Sequence, residues 1–220
     1  IVMDDADIHK AAALAVSGSY KNSGQRCTAV KRILVHQAIA EAFVEALIAK
    51  TRAVKYGDPM DPSTDMGTVI SEDAARYCED KVHDAVRLGA KLLYGNVRHG
   101  ALYSPTVLDH VPYDCELVAK ETFGPVSPVM RFRDLDEAIR ISNSTPYGLS
   151  SGVCTQRLDD ITRLITELQV GTVNVWEVPG YRIEMSPFGG IKDSGLGYKE
   201  GVLEAMKSFT NLKTYSLPWP

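Results

Sequence analysis

The feature that most constrains this chain is the alternation of two periodicities along it. Stretches with apolar residues three and four apart give way repeatedly to short runs rich in Val, Ile, Leu and Tyr. Residues 7–20 and 38–54 carry the helical spacing, the second with Ile39, Phe43, Val44, Leu47 and Ile48 on one face. Ser71 is placed to cap a helix that runs to about residue 88, where Gly89 stops it. Asp134 is placed to cap a helix over 135–142; further helices are predicted over 158–168 and from about Tyr198. Between them, residues 31–36, 91–94, 103–109, 127–132, 149–155 and 171–175 read as strands, and 209–217 as a final extended segment. A Gly/Pro/Asp-rich loop occupies 56–67 and a Gly-rich loop 186–197. Strands separated by helices imply βαβ units and hence an α/β fold with a mainly parallel sheet.

Composition closes off other classes. At 220 residues the chain can bury a sizeable core, and 45% hydrophobic with 24% charged residues is ordinary for a globular domain, not a disordered one. The 24 basic side chains against 28 acidic ones leave a net charge of −4. No global basic field exists to attract a nucleic acid, so an anionic ligand needs local arginines. No apolar run approaches the ~20 residues of a membrane span. The four cysteines, at 27, 78, 115 and 154, form no CxxC pair and no metal-ligand spacing. Reduced thiols, a cytoplasmic setting and no metal are therefore expected.

The sharpest local feature is Tyr20-Lys21-Asn22-Ser23-Gly24-Gln25-Arg26-Cys27-Thr28. A cysteine follows a small, polar, glycine-containing turn and stands beside a cation. Converging backbone N–H groups and a neighbouring cation both favour a thiolate. A lone cysteine is by itself equally at home in a core, and Cys78, Cys115 and Cys154 take that reading.

The flanking residues separate Cys27 from the others. Ser23-Gly24-Gln25-Arg26-Cys27-Thr28-Ala29-Val30-Lys31-Arg32 resembles the nucleophile motif of the aldehyde dehydrogenase superfamily. Glu121-Thr122-Phe123-Gly124-Pro125-Val126 resembles the same family's cofactor motif. Asn143-Ser144-Thr145-Pro146-Tyr147-Gly148-Leu149 and Pro187-Phe188-Gly189-Gly190-Ile191-Lys192-Asp193-Ser194-Gly195 match two further blocks, in the family's order, so the resemblance covers essentially the whole chain.

The resemblance implies a three-layer αβα catalytic domain over 1–208 and an oligomerisation strand and tail over 209–220. It implies an NAD(P)-dependent enzyme, with NAD or NADP as cofactor, that oxidises an aldehyde to a carboxylic acid and works as a homodimer or homotetramer. Cys27 resembles the nucleophile that forms a thiohemiacetal and then a thioester, and its backbone N–H resembles an oxyanion donor. Glu121 resembles the carboxylate that holds the nicotinamide ribose, and Phe123 a wall beside it. Taken alone, Glu121 reads as a surface glutamate and Phe123 as a core aromatic. Tyr20, Thr28 and Phe188 resemble residues lining the pocket, although Tyr20 reads nearly as well as a core tyrosine ending a helix. The glycines at 189, 190, 195 and 197 are not a GxGxxG after a strand and read as turn glycines.

Substrate preference turns on Arg26, next to the nucleophile, and Arg182, in the 177–185 loop that closes the substrate entrance in the family. Two arginines near the thiol suit a phosphate, phosphonate or carboxylate on the aldehyde. The alternative is that one of the two pairs with Glu177 or Glu184 in an ordinary salt bridge. The C-terminal blocks resemble the phosphonoacetaldehyde dehydrogenase group most, with glyceraldehyde-3-phosphate and semialdehyde or lactaldehyde types as alternatives. Tyr198-Lys199 stands where many members carry Arg-Glu. The family's general-base glutamate, oxyanion asparagine and dinucleotide-binding domain lie upstream of a segment resembling Ile1-Val2-Met3-Asp4-Asp5. The chain is therefore expected to be the catalytic part of a longer enzyme, and inactive alone. A non-catalytic structural relative and a thiol-redox protein are the competing classes. The first has no need of both Cys27 and Glu121, and the second lacks a nearby resolving cysteine.

Overall fold

The computed structural model describes residues 1–218. The chain runs α1 (Ile8–Tyr20), a short 3₁₀ turn (Lys21–Gly24), β1 (Ile33–His36), α2 (Ala40–Arg52), α3 (Glu72–Arg87), β2 (Lys91–Tyr94), β3 (Arg98–His99), β4 (Leu102–Tyr103) and β5 (Thr106–Asp109). It continues through α4 (Glu116–Ala119), β6 (Val126–Phe132), α5 (Leu135–Asn143), β7 (Tyr147–Gly148), β8 (Ser150–Val153), α6 (Leu158–Glu167), β9 (Thr172–Val175), β10 (Ile191–Lys192) and α7 (Val202–Ser208).

Local chemistry starts the main helices. The Asp7 carboxylate accepts from the Lys10 N–H (3.0 Å), the Ser71 hydroxyl from Ala74 (3.1 Å) and Asp134 from Glu137 (2.8 Å). The Glu137 carboxylate reaches back to the Arg133 N–H at 2.9 Å. At its far end α3 stops where Gly89 takes φ +108°.

The sheet has the order β1-β6-β5-β2, with β1–β6 and β6–β5 parallel and β2 antiparallel at the edge. β8 and β9 form a second parallel pair. Val2 bridges Val35 and Cys154, both in parallel, and so joins the two sets. Strand residues alternate between two cores. Ile33, Val35, Val107 and Val129 pack with Ala11, Ala15, Phe43 and Leu47 of α1 and α2. Leu34, Leu108 and Met130 face the other way, among Ala75, Val82, Ile141 and Leu164 of α3, α5 and α6. Helices thus cover both faces of a mainly parallel sheet, the three-layer α/β arrangement expected above.

Several boundaries differ from the expectation. The run 103–109 breaks at Pro105, so Tyr103 pairs in a small β3–β4 hairpin and β5 begins at Thr106. The Gly-rich loop contains β10, antiparallel to β7. The last helix begins at Val202, because Gly201 sits at φ +92° and the backbone of Phe188 is bridged to Glu200. Residues 209–217 are exposed and form no strand among the described residues; positions 219 and 220 of the expected tail lie outside them.

Candidate active site

The turn before Cys27 is unusual backbone. Asn22, Ser23 and Gly24 follow one another in the left-handed region, with φ of 55°, 54° and 71°. Each non-glycine there costs on the order of 1 kcal/mol or more, so surrounding contacts must hold it. They do. The Asn22 side chain donates to the Gln25 carbonyl (3.1 Å), and the Ser23 hydroxyl donates to that of Gly67 (3.0 Å). The Gln25 side-chain oxygen accepts from the Ile70 N–H (2.7 Å). Gly24 is needed for a second reason: a Cβ there would collide with the Gly124 carbonyl. Gly124 in turn lies flat against the Cys78 sulfur of α3, where a Cβ would also collide. The turn before Cys27 and the 121–125 segment are therefore stacked backbone on backbone.

This stacking brings Cys27, Lys31 and Glu121 onto one cavity of about 360 Å³. The Cys27 side chain is exposed, and no acceptor among the described residues takes its backbone N–H. The 177–180 loop forms part of the same wall through Glu177, Val178 and Pro179. It presses on Thr28, since a Cβ on Gly180 would come within 2.7 Å of the Thr28 hydroxyl. Glu177 is turned to its own loop and accepts from the Val178 N–H at 2.9 Å. Phe123 projects outward with 43% exposure, one ring face 4.5 Å from the Lys31 ammonium.

Other expected site residues lie elsewhere. Tyr20 is a core residue, correcting its reading as a pocket aromatic. Its hydroxyl accepts from Ser127 (2.9 Å) and lies 3.4 Å from the Thr106 carbonyl, and burial pushes its pKa up to about 12. Arg182 and Phe188 are together but away from the thiol. They line a smaller cavity of about 80 Å³, with the guanidinium carbon 4.8 Å above the ring. Arg182 does form a salt bridge, with Glu200 rather than Glu177 or Glu184. Arg26 donates to the Gly18 carbonyl at 3.2 Å, and its buried Nε has no partner.

Sequence reasoning passed over Lys31. Its ammonium donates to the carbonyls of Gly24 (2.8 Å) and Thr122 (3.2 Å) and stands 4.0 Å from the Glu121 carboxylate. Burial pulls its pKa down to about 8, with Glu121 opposing. The available signal was a lysine four residues past Cys27, just ahead of a strand.

Among the described residues no cluster of three or more His, Cys, Asp or Glu side chains is arranged to hold a metal, and no helix is long and apolar enough to cross a membrane.

An α/β layer that sets an exposed cysteine and a glutamate on one cavity, behind a strained turn, defines a class found among known proteins. The aldehyde dehydrogenase family profile matches residues 1–215, and the chain belongs to that family. It is 40% identical over 214 residues to sulfoacetaldehyde dehydrogenase of Neptuniibacter caesariensis, covering 97% of this chain and 47% of that one. It is also 40% identical to lactaldehyde dehydrogenase of Methanocaldococcus jannaschii, covering 97% and 46%. A glyceraldehyde-3-phosphate dehydrogenase of the same organism, solved in complex with NADP, superposes with a TM-score of 0.92 at 39% identity, covering 96% and 46%. The chain thus spans less than half the length of these relatives.

Proposed function

We propose that the protein containing this chain oxidises an aldehyde to a carboxylic acid with NAD or NADP, and that Cys27 is the nucleophile. The observation that carries the reading is an exposed thiol sharing one cavity with Glu121, beside a turn of three successive left-handed residues. The residues present fit a nicotinamide dinucleotide. Glu121 is a carboxylate open to the cavity that can accept from ribose hydroxyls, and Phe123 offers an exposed ring face beside it. Relatives solved with NADP or NAD⁺ support that cofactor class. When bound, it accepts the hydride released from the substrate carbon.

Cys27 does the remaining chemistry. Its sulfur adds to the carbonyl carbon, forming a C–S bond and an alkoxide. The Cys27 N–H, with no internal acceptor, is free to donate to that oxygen. Loss of hydride leaves a thioester. Water then adds to the thioester, the C–S bond breaks, the acid departs and the thiol is restored. The intact enzyme with Cys27→Ala is expected to lose turnover by about 10³-fold or more while still binding dinucleotide. Retained kcat would reject Cys27 as nucleophile.

For the substrate we propose a small anionic aldehyde, of the phosphonoacetaldehyde kind. Relatives named for sulfoacetaldehyde and glyceraldehyde-3-phosphate support that chemistry, and Arg26, directly before Cys27, is the nearest guanidinium in sequence. The Arg182–Glu200 pair means that an anion reaching Arg182 must displace a carboxylate. Arg26→Ala is expected to raise KM for a phosphonate- or sulfonate-bearing aldehyde about tenfold more than for a neutral one. Equal effects would reject the anion-binding role. We further propose that 209–217 adds to a sheet of a second copy, consistent with its exposed apolar side chains Phe209, Leu212, Tyr215 and Leu217. A cytoplasmic setting is in keeping with four unpaired cysteines.

A further inference from the structure

We infer that Lys31 is a positioning residue: its ammonium locks the turn that carries Cys27 to the segment that carries Glu121 and Phe123. The inference rests on the dehydrogenase reading for what those groups bind. One side chain spans two segments distant in sequence. Nζ donates to the Gly24 carbonyl on the nucleophile side and to the Thr122 carbonyl on the other, at 2.8 and 3.2 Å. The Glu121 carboxylate stands 4.0 Å from Nζ, and the Phe123 ring centroid lies 4.5 Å off. The Lys31 side chain is only 20% exposed, so its bonds to the two carbonyls are sheltered from water, while Glu121, at 42%, is partly solvated.

Lys31 lies two residues before Ile33, the first residue of β1, which pairs with Val129 of β6 and gives the clasp a rigid base. The groups facing the ammonium are Glu121, the thiols of Cys27 and Cys78, and Arg26. Burial pushes the Cys78 thiol up to about 11, so it stays neutral and Glu121 is the opposite charge that holds the cation. Because burial also pulls Lys31 down to about 8, the clasp weakens just above neutral pH as the ammonium loses its proton. A neutral amine still donates, but it no longer attracts Glu121 or the face of Phe123.

The test uses the intact protein that contains this chain, as parent, Lys31→Met and Lys31→Arg. Two quantities are read: the dissociation constants of NAD⁺ and NADP⁺ by fluorescence titration, and the rate of Cys27 alkylation by iodoacetamide without dinucleotide. Lys31→Met is expected to weaken binding of the preferred dinucleotide about tenfold and to slow alkylation by a similar factor, with Lys31→Arg recovering most of both. If either quantity in a folded Lys31→Met matches the parent, the coupling of the two segments is overturned. Should Lys31→Met not fold, the parent decides: its dinucleotide affinity should fall between about pH 7 and about pH 10, and a flat profile overturns the inference. A parent that binds neither NAD⁺ nor NADP⁺ rejects the dehydrogenase reading instead, and the alkylation rates then decide on Lys31 alone.

Discussion

A lysine ammonium in a largely dry seam carries a cost that can be read in stability. The Lys31 pKa falls from 10.5 to about 8 through burial. Below about 8 both folded and unfolded chains hold the proton, and the full penalty of burying the charge is present. Between about 8 and 10.5 the unfolded chain holds the proton while the folded chain has released it, so stability rises with pH across that window. The parent is therefore expected to gain about 1–3 kcal/mol relative to Lys31→Met between pH 8 and pH 10.5, by urea unfolding at stepped pH. A constant difference would mean that Lys31 is not strained by its site. Tyr20 titrates with the opposite sign, since its raised pKa, about 12, removes stability as pH climbs past the ordinary tyrosine value of 10. The two residues show what a single chain can and cannot disclose. A lysine four places after a cysteine carries no periodic signal, and a tyrosine ending a helix points to core or pocket according to partners such as Ser127, more than 100 positions away.

Among the elements, the turn between α1 and β1 does most to set the site. Gly24→Ala is expected to cost about 2–4 kcal/mol, combining a positive φ with a backbone collision at Gly124. Gly89→Ala offers the control, because Gly89 also has positive φ but nothing within 4 Å of its missing Cβ. About 1 kcal/mol is expected there, and equal losses at both sites would show that the collision is relieved. The long elements were legible because their caps and periods are local: Asp7, Ser71 and Asp134 each bond within three residues. The short ones were not. β3, β4, β7 and β10 have two residues each, too few for a period, and exist through pairing with partners in sequence contexts that look like loop. The turn that carries Cys27 stood out as a motif, whereas the Arg182–Glu200 pair lay 18 positions apart across a glycine-rich stretch.

At the scale of the molecule, the two cores lie on opposite faces of one sheet, and the cavity with Cys27 is lined in part by Ile1, Val2 and Cys154 at the join between its two sets of strands. There the link between β1 and β8 is Val2 and its neighbours. The Val2 N–H donates to Leu34, Val2 accepts from His36, Met3 donates to Cys154, and Cys154 donates to Ile1. Four amides thus carry the seam, whose residues Val2, Met3 and Cys154 are buried in the same two cores as the β1–β6–β5 block. Such a join should open before the rest of the molecule does. In deuterated water the amides of Val2, Met3 and Cys154 are expected to exchange at least about tenfold faster than those of Val129 and Met130. Uniform protection would mean that the sheet yields as one cooperative unit. Val2 and Cys27 line one cavity, so the seam expected to yield first is also part of the wall beside the thiol.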